Sequence, residues 1–200
     1  VAIKLHCAYR PLPYENKTNN HMAKENVNLG TLLLESRILF IGSEVNPEMA
    51  NTIVSALLYL DSISHDPIKL YINSPGGAVS AGYAIIDTMR MIESPVETVC
   101  VGMAASMAAV ILASGEAGSR SALEHAEVMI HQPLGGAEGQ SADIEIAALH
   151  IKRVREKLYR SLFEATGTPM DKIAQDADRN YWMDAQEALN YGMIDRIISK

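Results

Sequence analysis

The chain is 200 residues long, 48% hydrophobic and 20% charged, with a net charge of −7. That length suits one domain with a full core, and the acidic balance, with no run of lysine or arginine, excludes a nucleic-acid surface, which needs a basic face. Every apolar run is broken well short of the roughly eighteen residues that a membrane span takes, and no signal-peptide pattern opens the chain, so no membrane association is expected.

Two cysteines, Cys7 and Cys100, form no disulfide framework. Cys100 lies in a strand-like apolar run and reads as a buried thiol, which fits a reducing, cytoplasmic setting. Residues 1–28 differ from the rest. The stretch PLPYENKTNNHMAKENVN is polar and rich in turn formers, which predicts a segment that is flexible or tied down by a partner. Met22 fits a natural start and His21-Met22 fits the remnant of a cloning site, so residues 1–21 carry little inference. Residues 29–200 read as a single domain without internal repeats.

From Leu29 onward, strand and helix patterns alternate. RILFIG (Arg37–Gly42) is a short apolar run closed by glycine, hence a strand. Asn46-Pro47 then starts a helix, with proline in the first turn and apolar residues at spacings of three and four. IKLYIN (Ile68–Asn73) is a strand closed by SPGG, Ala78 to Ile92 a helix, and VETVCVG (Val96–Gly102) a strand ending at its glycine. Ala104 to Ala113 reads as a buried helix and EVMIH (Glu127–His131) as a strand. Strands separated by single helices predict an α/β fold with a parallel sheet. Ser141 caps a long helix running to about Thr166, with Ile144, Ile151, Val154, Leu158 and Leu162 on one stripe. A helix of that length on so small a domain suits packing against a neighbouring subunit. Thr168-Pro169 caps a further helix, and Asp184 and Glu187 have capping-box spacing for the last one, which Gly192 stops. MIDRIIS (Met193–Ser199) is the final strand.

Three motifs carry chemistry-bearing residues. NSPGG (Asn73–Gly77) joins a strand to a helix, and its two glycines free backbone N–H groups for an anion or oxyanion, although an ordinary turn reads the same way. In GMAASMA (Gly102–Ala108), Ser106 falls in the first turn of a helix, where the dipole favours developing negative charge. The spacing is not that of G-x-S-x-G, and a serine among alanines is also simply a small residue that fits. In MIHQPLGG (Met129–Gly136), His131 ends a strand at the edge where such sheets place active residues. Of the six histidines, it alone follows an apolar strand and precedes a Gly/Pro loop.

Together, RILFIGSEVN, YINSPGG, GMAASMA, MIHQPLGG and DIEI resemble, in order and spacing, the proteolytic subunit of the Clp protease (ClpP), over about Leu29 to Ile198. The resemblance implies the ClpP/crotonase-like fold, repeated β-β-α units with a protruding handle at about 132–166. It implies a serine endopeptidase with Ser106 as nucleophile, His131 as general base, and the Gly77 and Met107 amides as the oxyanion hole. Leu134, Gly135 and Gly136 resemble the strand that pairs with an extended substrate. Asp178 and Arg179 resemble the charged pair that links two heptameric rings into a tetradecamer. No metal and no cofactor are implied for this subunit, because ATP is used by a partner AAA+ ATPase of the ClpX, ClpA or ClpC type, which feeds it unfolded proteins.

Three departures stand out. Asn180 occupies the position of the family's triad aspartate, before YWMDAQEA. An amide still accepts a hydrogen bond from imidazole but carries no charge to stabilise imidazolium, so weak intrinsic activity is expected, unless Asp178 or Asp184 substitutes. Tyr71, Met91, Val99, Val101, Leu123 and Ile198 are the expected members of apolar ATPase-docking pockets. Lys69 and Ser121, however, stand where such residues are usually apolar, and lysine there carries a desolvation cost. The N-terminal stretch lacks the family's axial-loop sequence. The alternative reading is therefore a largely inactive structural subunit in a mixed tetradecamer with a second ClpP paralogue. A crotonase acting on acyl-CoA is the third reading, disfavoured because no CoA-site feature accompanies Ser106 and His131.

Overall fold

The β-branched and leucine-rich runs Ile38–Ile41 (β1), Ile68–Ser74 (β2) and Val96–Ala105 (β3) form the centre of a parallel sheet in the structure, a computed structural model that describes residues 29–199. The polar N-terminal stretch expected over residues 1–28, Cys7 included, lies outside the described residues. Ser121–Leu123 (β4) and Arg196–Ile198 (β7) continue the sheet in parallel, giving the order β1-β2-β3-β4-β7. Glu127–Ile130 (β5) also runs parallel to β3, and Tyr181–Met183 (β6) closes that side antiparallel to β5.

β3 serves two neighbours in turn. Its first half pairs with β4 (Val99 with Ser121) and its second with β5 (Ala105 with Met129). Between them Gly102 takes φ +80°, a left-handed kink that glycine adopts without penalty. Gly102 is thus a bend within the strand and not its end, and the strand continues for three residues more than its sequence suggests.

Helices cover the sheet. Pro47–Ile63 (α2) is capped by Asn46, whose side chain accepts from the Met49 amide, and it buries Ala50, Ile53, Leu57 and Leu60. Val79–Met91 (α3) packs beside it, and Met107–Ala113 (α4) is buried at every position, as expected of a helix apolar all round. Cys100 is a buried thiol, and burial pushes its pKa up to about 12. Leu29–Glu35 (α1) precedes β1; Met170–Asp176 (α6) and Ala185–Tyr191 (α7) flank β6. The capping box of Asp184 and Glu187 is formed, and Gly192 ends α7 at φ +85°.

Ser141–Thr166 (α5) is the long helix. Its N-cap is Gln140, without a side-chain bond, so Ser141 is its first residue and not its cap. Of the expected stripe, Leu158 and Leu162 are buried, Ile151 and Val154 are half-buried, and Ile144 is exposed together with Ile146 and Leu149. The first ten residues of α5 thus stand off the domain with an apolar side bare. Three other boundaries shift: the helix after β3 starts at Met107 and not Ala104, β5 ends one residue before His131, and β7 starts at Arg196 and not Met193. No helix among the described residues is long and apolar enough to cross a membrane.

Candidate active site

At the end of β3 the chain turns sharply into α4, and Ser106 is the turning residue, at φ 55°, ψ −123°. It is the N-cap position and not part of the first turn. This is strained backbone for a residue with a Cβ, held because the Ser106 amide donates to the Met129 carbonyl (2.8 Å) and its carbonyl accepts from Ala109 and Val110. The turn lifts the side chain out of the sheet. Met107, the first helical residue, has an amide with no carbonyl one turn behind it, one of the orphan donors of a helix start.

The NSPGG loop crosses directly over this turn. Gly76 lies so close that a Cβ there would sit 2.7 Å from the Ser106 Cβ and 2.9 Å from the Met107 nitrogen. Next to it, the Gly76 carbonyl accepts from Val45 and the Ala78 amide donates to Val45, both at 2.7 Å. In an extended segment whose two flanking groups face Val45, the Gly77 N–H points the other way, and Gly77 lines the same cavity as Ser106. A Cβ on Gly77 would collide with the Val45 carbonyl oxygen. The Ser74 hydroxyl fixes the loop by donating to the Ser43 carbonyl and accepting from the Gly76 amide.

His131 leaves β5 beside the serine. Its Nε2 lies 2.8 Å from Ser106 Oγ and its Nδ1 3.1 Å from Asn180 Oδ1. The second contact follows from strand register. β5 and β6 pair antiparallel with Ile130 opposite Tyr181, so one further step sets His131 opposite Asn180. Gln132 pins the same junction: its amide donates to the Ala177 carbonyl and its Nε2 to the Asp178 carbonyl. With Oδ1 accepting from Nδ1–H, the imidazole keeps its Nε2 lone pair for the serine proton.

A cavity of about 350 Å³ opens beside Ser106 and His131, walled by Val79, Met107, Val110, Leu158 and Leu162, with Leu134 at its mouth. The lining is apolar, and two of its walls come from α3 and α5. Leu134, Gly135 and Gly136 are exposed and lie in an irregular stretch between β5 and α5.

Other expected positions lie elsewhere. Asp178 and Arg179 are exposed at the end of α6, their charged groups 3.8 Å apart. Tyr71, Val99 and Ser121 form one row across the sheet, and Leu123 and Ile198 pair beyond the intervening row of Cys100, Ala122 and Ile197. Met91 is exposed at the end of α3, Val101 is half-buried, and Val99 is buried. The two departures there read differently in place. Lys69 is exposed and registers with Glu97 on β3, so it bears no desolvation cost in this chain. Ser121 is fully buried and donates its hydroxyl to the Thr98 carbonyl, so it is not a pocket surface.

Sequence reasoning missed Gly76 as the contact residue, Gln132 as the pin, and Leu158 and Leu162 as cavity walls. The last two carried a signal, the apolar stripe of α5, but it read as a subunit contact.

The Clp protease family model matches residues 21–200. The chain is similar to the ATP-dependent Clp protease proteolytic subunit of Bacteroides fragilis, 53% identical over 171 residues, 84% of this chain and 82% of that protein. It is also similar to ATP-dependent Clp protease proteolytic subunit 2 of Prochlorococcus marinus, at 54% over 175 residues, 86% of this chain and 88% of that one. Proteolytic subunit 2 of Bacillus licheniformis is 52% identical over 167 residues, 83% of this chain and 88% of that protein. The family match takes in every strand and helix described above, the serine turn and the histidine strand among them, and on that extent and identity the chain belongs to the Clp protease family.

Proposed function

We propose that the chain is the peptide-cleaving subunit of a Clp protease, a serine endopeptidase acting on unfolded proteins delivered by an AAA+ ATPase. The observation that carries this is the 2.8 Å contact of His131 Nε2 with Ser106 Oγ, made by a serine held at positive φ. In the reaction, Ser106 Oγ attacks the scissile carbonyl while Nε2 takes its proton. The oxyanion accepts from the Gly77 and Met107 amides, and the imidazolium then returns the proton to the leaving amine. Water repeats the sequence on the acyl-enzyme. The side chain before the scissile bond enters the apolar cavity, and the irregular Leu134–Gly136 stretch pairs with substrate backbone. These steps need no metal or cofactor in this subunit; ATP serves the partner.

The assembly is a homo-oligomer of heptameric rings stacked as a tetradecamer through α5, supported by the bare Ile144, Ile146 and Leu149 on its projecting half. Asp178 and Arg179, beside the Asn180 junction, suit a role in linking ring contact to the site. Tyr71, Val101, Leu123, Ile198 and Met91, each at least partly exposed, make up the ATPase-docking surface, with Val99 buried in the same sheet row as Tyr71. Because Asn180 is uncharged, the isolated subunit is a weak peptidase. The same residue favours a second reading, a structural subunit completed by a more active paralogue. Labelling with a fluorophosphonate, read by mass spectrometry, separates these readings. Labelled Ser106 with peptide turnover supports the peptidase. An unlabelled pure chain that assembles with a paralogue supports the structural role.

A further inference from the structure

Tyr83 is buried on α3, one turn beyond Val79, and α5 grips it twice. Its hydroxyl lies 3.0 Å from Ser161 Oγ, and its ring carries the Lys157 ammonium 3.6 Å from the centroid. Lys157 and Ser161 are one helical turn apart, so they present to the same side of α5. The residue after each of them, Leu158 and Leu162, walls the apolar cavity, and Val79 on α3 walls it too. The α3 and α5 walls of the cavity are therefore tied together at Tyr83. Gly82 lets α3 approach as well, since a Cβ there would strike the Met107 side chain, another cavity wall. The hydroxyl pair is the buried polar tie in this contact, whereas the ion pair between the two helices, Arg90 with Glu164 at 3.9 Å, is exposed; a directional bond away from water fixes helix separation more tightly than apolar packing, which slides.

We propose that Tyr83 is the positioning residue that sets the width of the substrate cavity, holding α5 to α3 through Ser161 and Lys157. It touches no reacting atom. It decides how far Leu158 and Leu162 stand from Val79, and so which side chain before the scissile bond fits. Without the hydroxyl tie α5 relaxes outward, and bulkier side chains gain over leucine.

This inference rests on the peptidase reading. The test uses peptidyl phosphonate diesters that react with the nucleophilic serine without needing turnover, carrying a leucine-like or phenylalanine-like group before the phosphorus. Inactivation of the full-length assembly gives a binding constant and a maximal rate for each probe. For Tyr83→Phe and Ser161→Ala, the leucine-over-phenylalanine ratio should fall about fivefold, the worth of one neutral hydrogen bond, carried by binding with the maximal rate within twofold. Ser161→Thr, which keeps the hydroxyl, should restore the parent ratio, and the double variant Tyr83→Phe/Ser161→Ala should equal either single one. Ratios within twofold of the parent in both single variants overturn the inference, as does equal slowing of both probes. A parent chain that neither probe labels overturns the peptidase reading, and this inference with it.

Discussion

Asn180→Asp changes one atom's charge at the site and nothing in its register, so the magnitude can be worked from the geometry. The new carboxylate oxygen would stand 3.1 Å from His131 Nδ1, where Asn180 Oδ1 stands now. On the proposed mechanism, imidazolium forms against it as Ser106 attacks. Attraction at that distance is about 1 kcal/mol in bulk water and about 5 kcal/mol at an effective dielectric near 20. Asn180 is exposed and His131 half-buried, which favours the lower part of that range. A gain of about 10- to 100-fold in kcat/KM follows at 1.36 kcal/mol per decade. The reverse change in the serine-protease template costs about 10⁴-fold, in part through the wrong tautomer. Here the amide oxygen faces Nδ1 and holds the right one, so the smaller figure applies. The assay is turnover of a fluorogenic peptide by assembled protein, with active sites counted by fluorophosphonate. A gain under twofold per active site would refute the reasoning. Asn180→Ala, which removes the acceptor, should cost about five- to tenfold, the worth of one hydrogen bond.

Gly76→Ala places a Cβ 2.5 Å from the Ala105 carbonyl oxygen at a residue of φ +90°, so Ser106 labelling should fall at least about 100-fold through displacement of the turn; labelling at the parent rate would show that the loop does not bear on the serine. Arg120 is buried, bonds Asp195 at 2.6 Å and also donates to the Ala113 and Ala165 carbonyls. Asp195→Ala should therefore cost about 3–5 kcal/mol in denaturant unfolding by stranding that charge, and a loss under 1 kcal/mol would contradict it. At the end of α2, His65 lies between Asp61 (3.1 Å) and Glu93 (3.4 Å), with Arg37 nearby, and the bond to Asp61 raises its pKa. A raised folded pKa gives stability that is full below the unfolded value near 6.5 and is lost as pH rises through the folded one. The parent's melting temperature should thus drop slightly more than that of His65→Gln as pH rises from 6 to 8; parallel profiles would sink this. The Ser94 amide and hydroxyl hold the Asp61 carboxyl down at about 2, so its share should persist in mild acid and fade only as pH falls toward that value.

Much of the fold was legible because local signals agreed with tertiary demands. Asn46-Pro47, the Asp184–Glu187 box and Gly192 mark helix ends at or within one residue of where they lie. The alternation of apolar runs gave the parallel sheet. Gly102 misled because a glycine after an apolar run ends most strands, whereas here it lets one strand change partners, a demand made by β4 and β5 and invisible in β3 itself. Ser121–Leu123 and Tyr181–Met183 are three-residue strands with no periodicity to read. At the site, the serine, histidine and glycine motifs stood out one by one. Their distances did not, since these depend on registers between separate strands, Ala105 with Met129 for the serine and histidine and Ile130 with Tyr181 for the histidine and Asn180. The Leu158–Leu162 wall shares its stripe with the exposed half of α5, and periodicity alone does not tell a cavity from an interface.

That register also decides whether another acid replaces Asn180. Asp184 lies three residues past Tyr181, and its Oδ1 accepts from the Glu187 amide at 2.7 Å. Turning it to His131 would uncap α7 at a cost of about 1 kcal/mol. Asp178 stands two residues before Asn180, and Gln132 holds both its carbonyl (2.9 Å) and its carboxylate (3.3 Å). The residue that orders the histidine's own junction therefore restrains the nearer carboxylate. Moving Asp178 to Nδ1 would need the 177–180 turn to unpin from Gln132, whose amide and side chain bind it at two points. The β5–β6 pairing then leaves one position opposite His131, and an uncharged acceptor fills it. On the proposed peptidase reading, such a constraint makes for a weak site with its hydrogen-bond geometry in place, and a single carboxylate at residue 180 is the least change that supplies a charge.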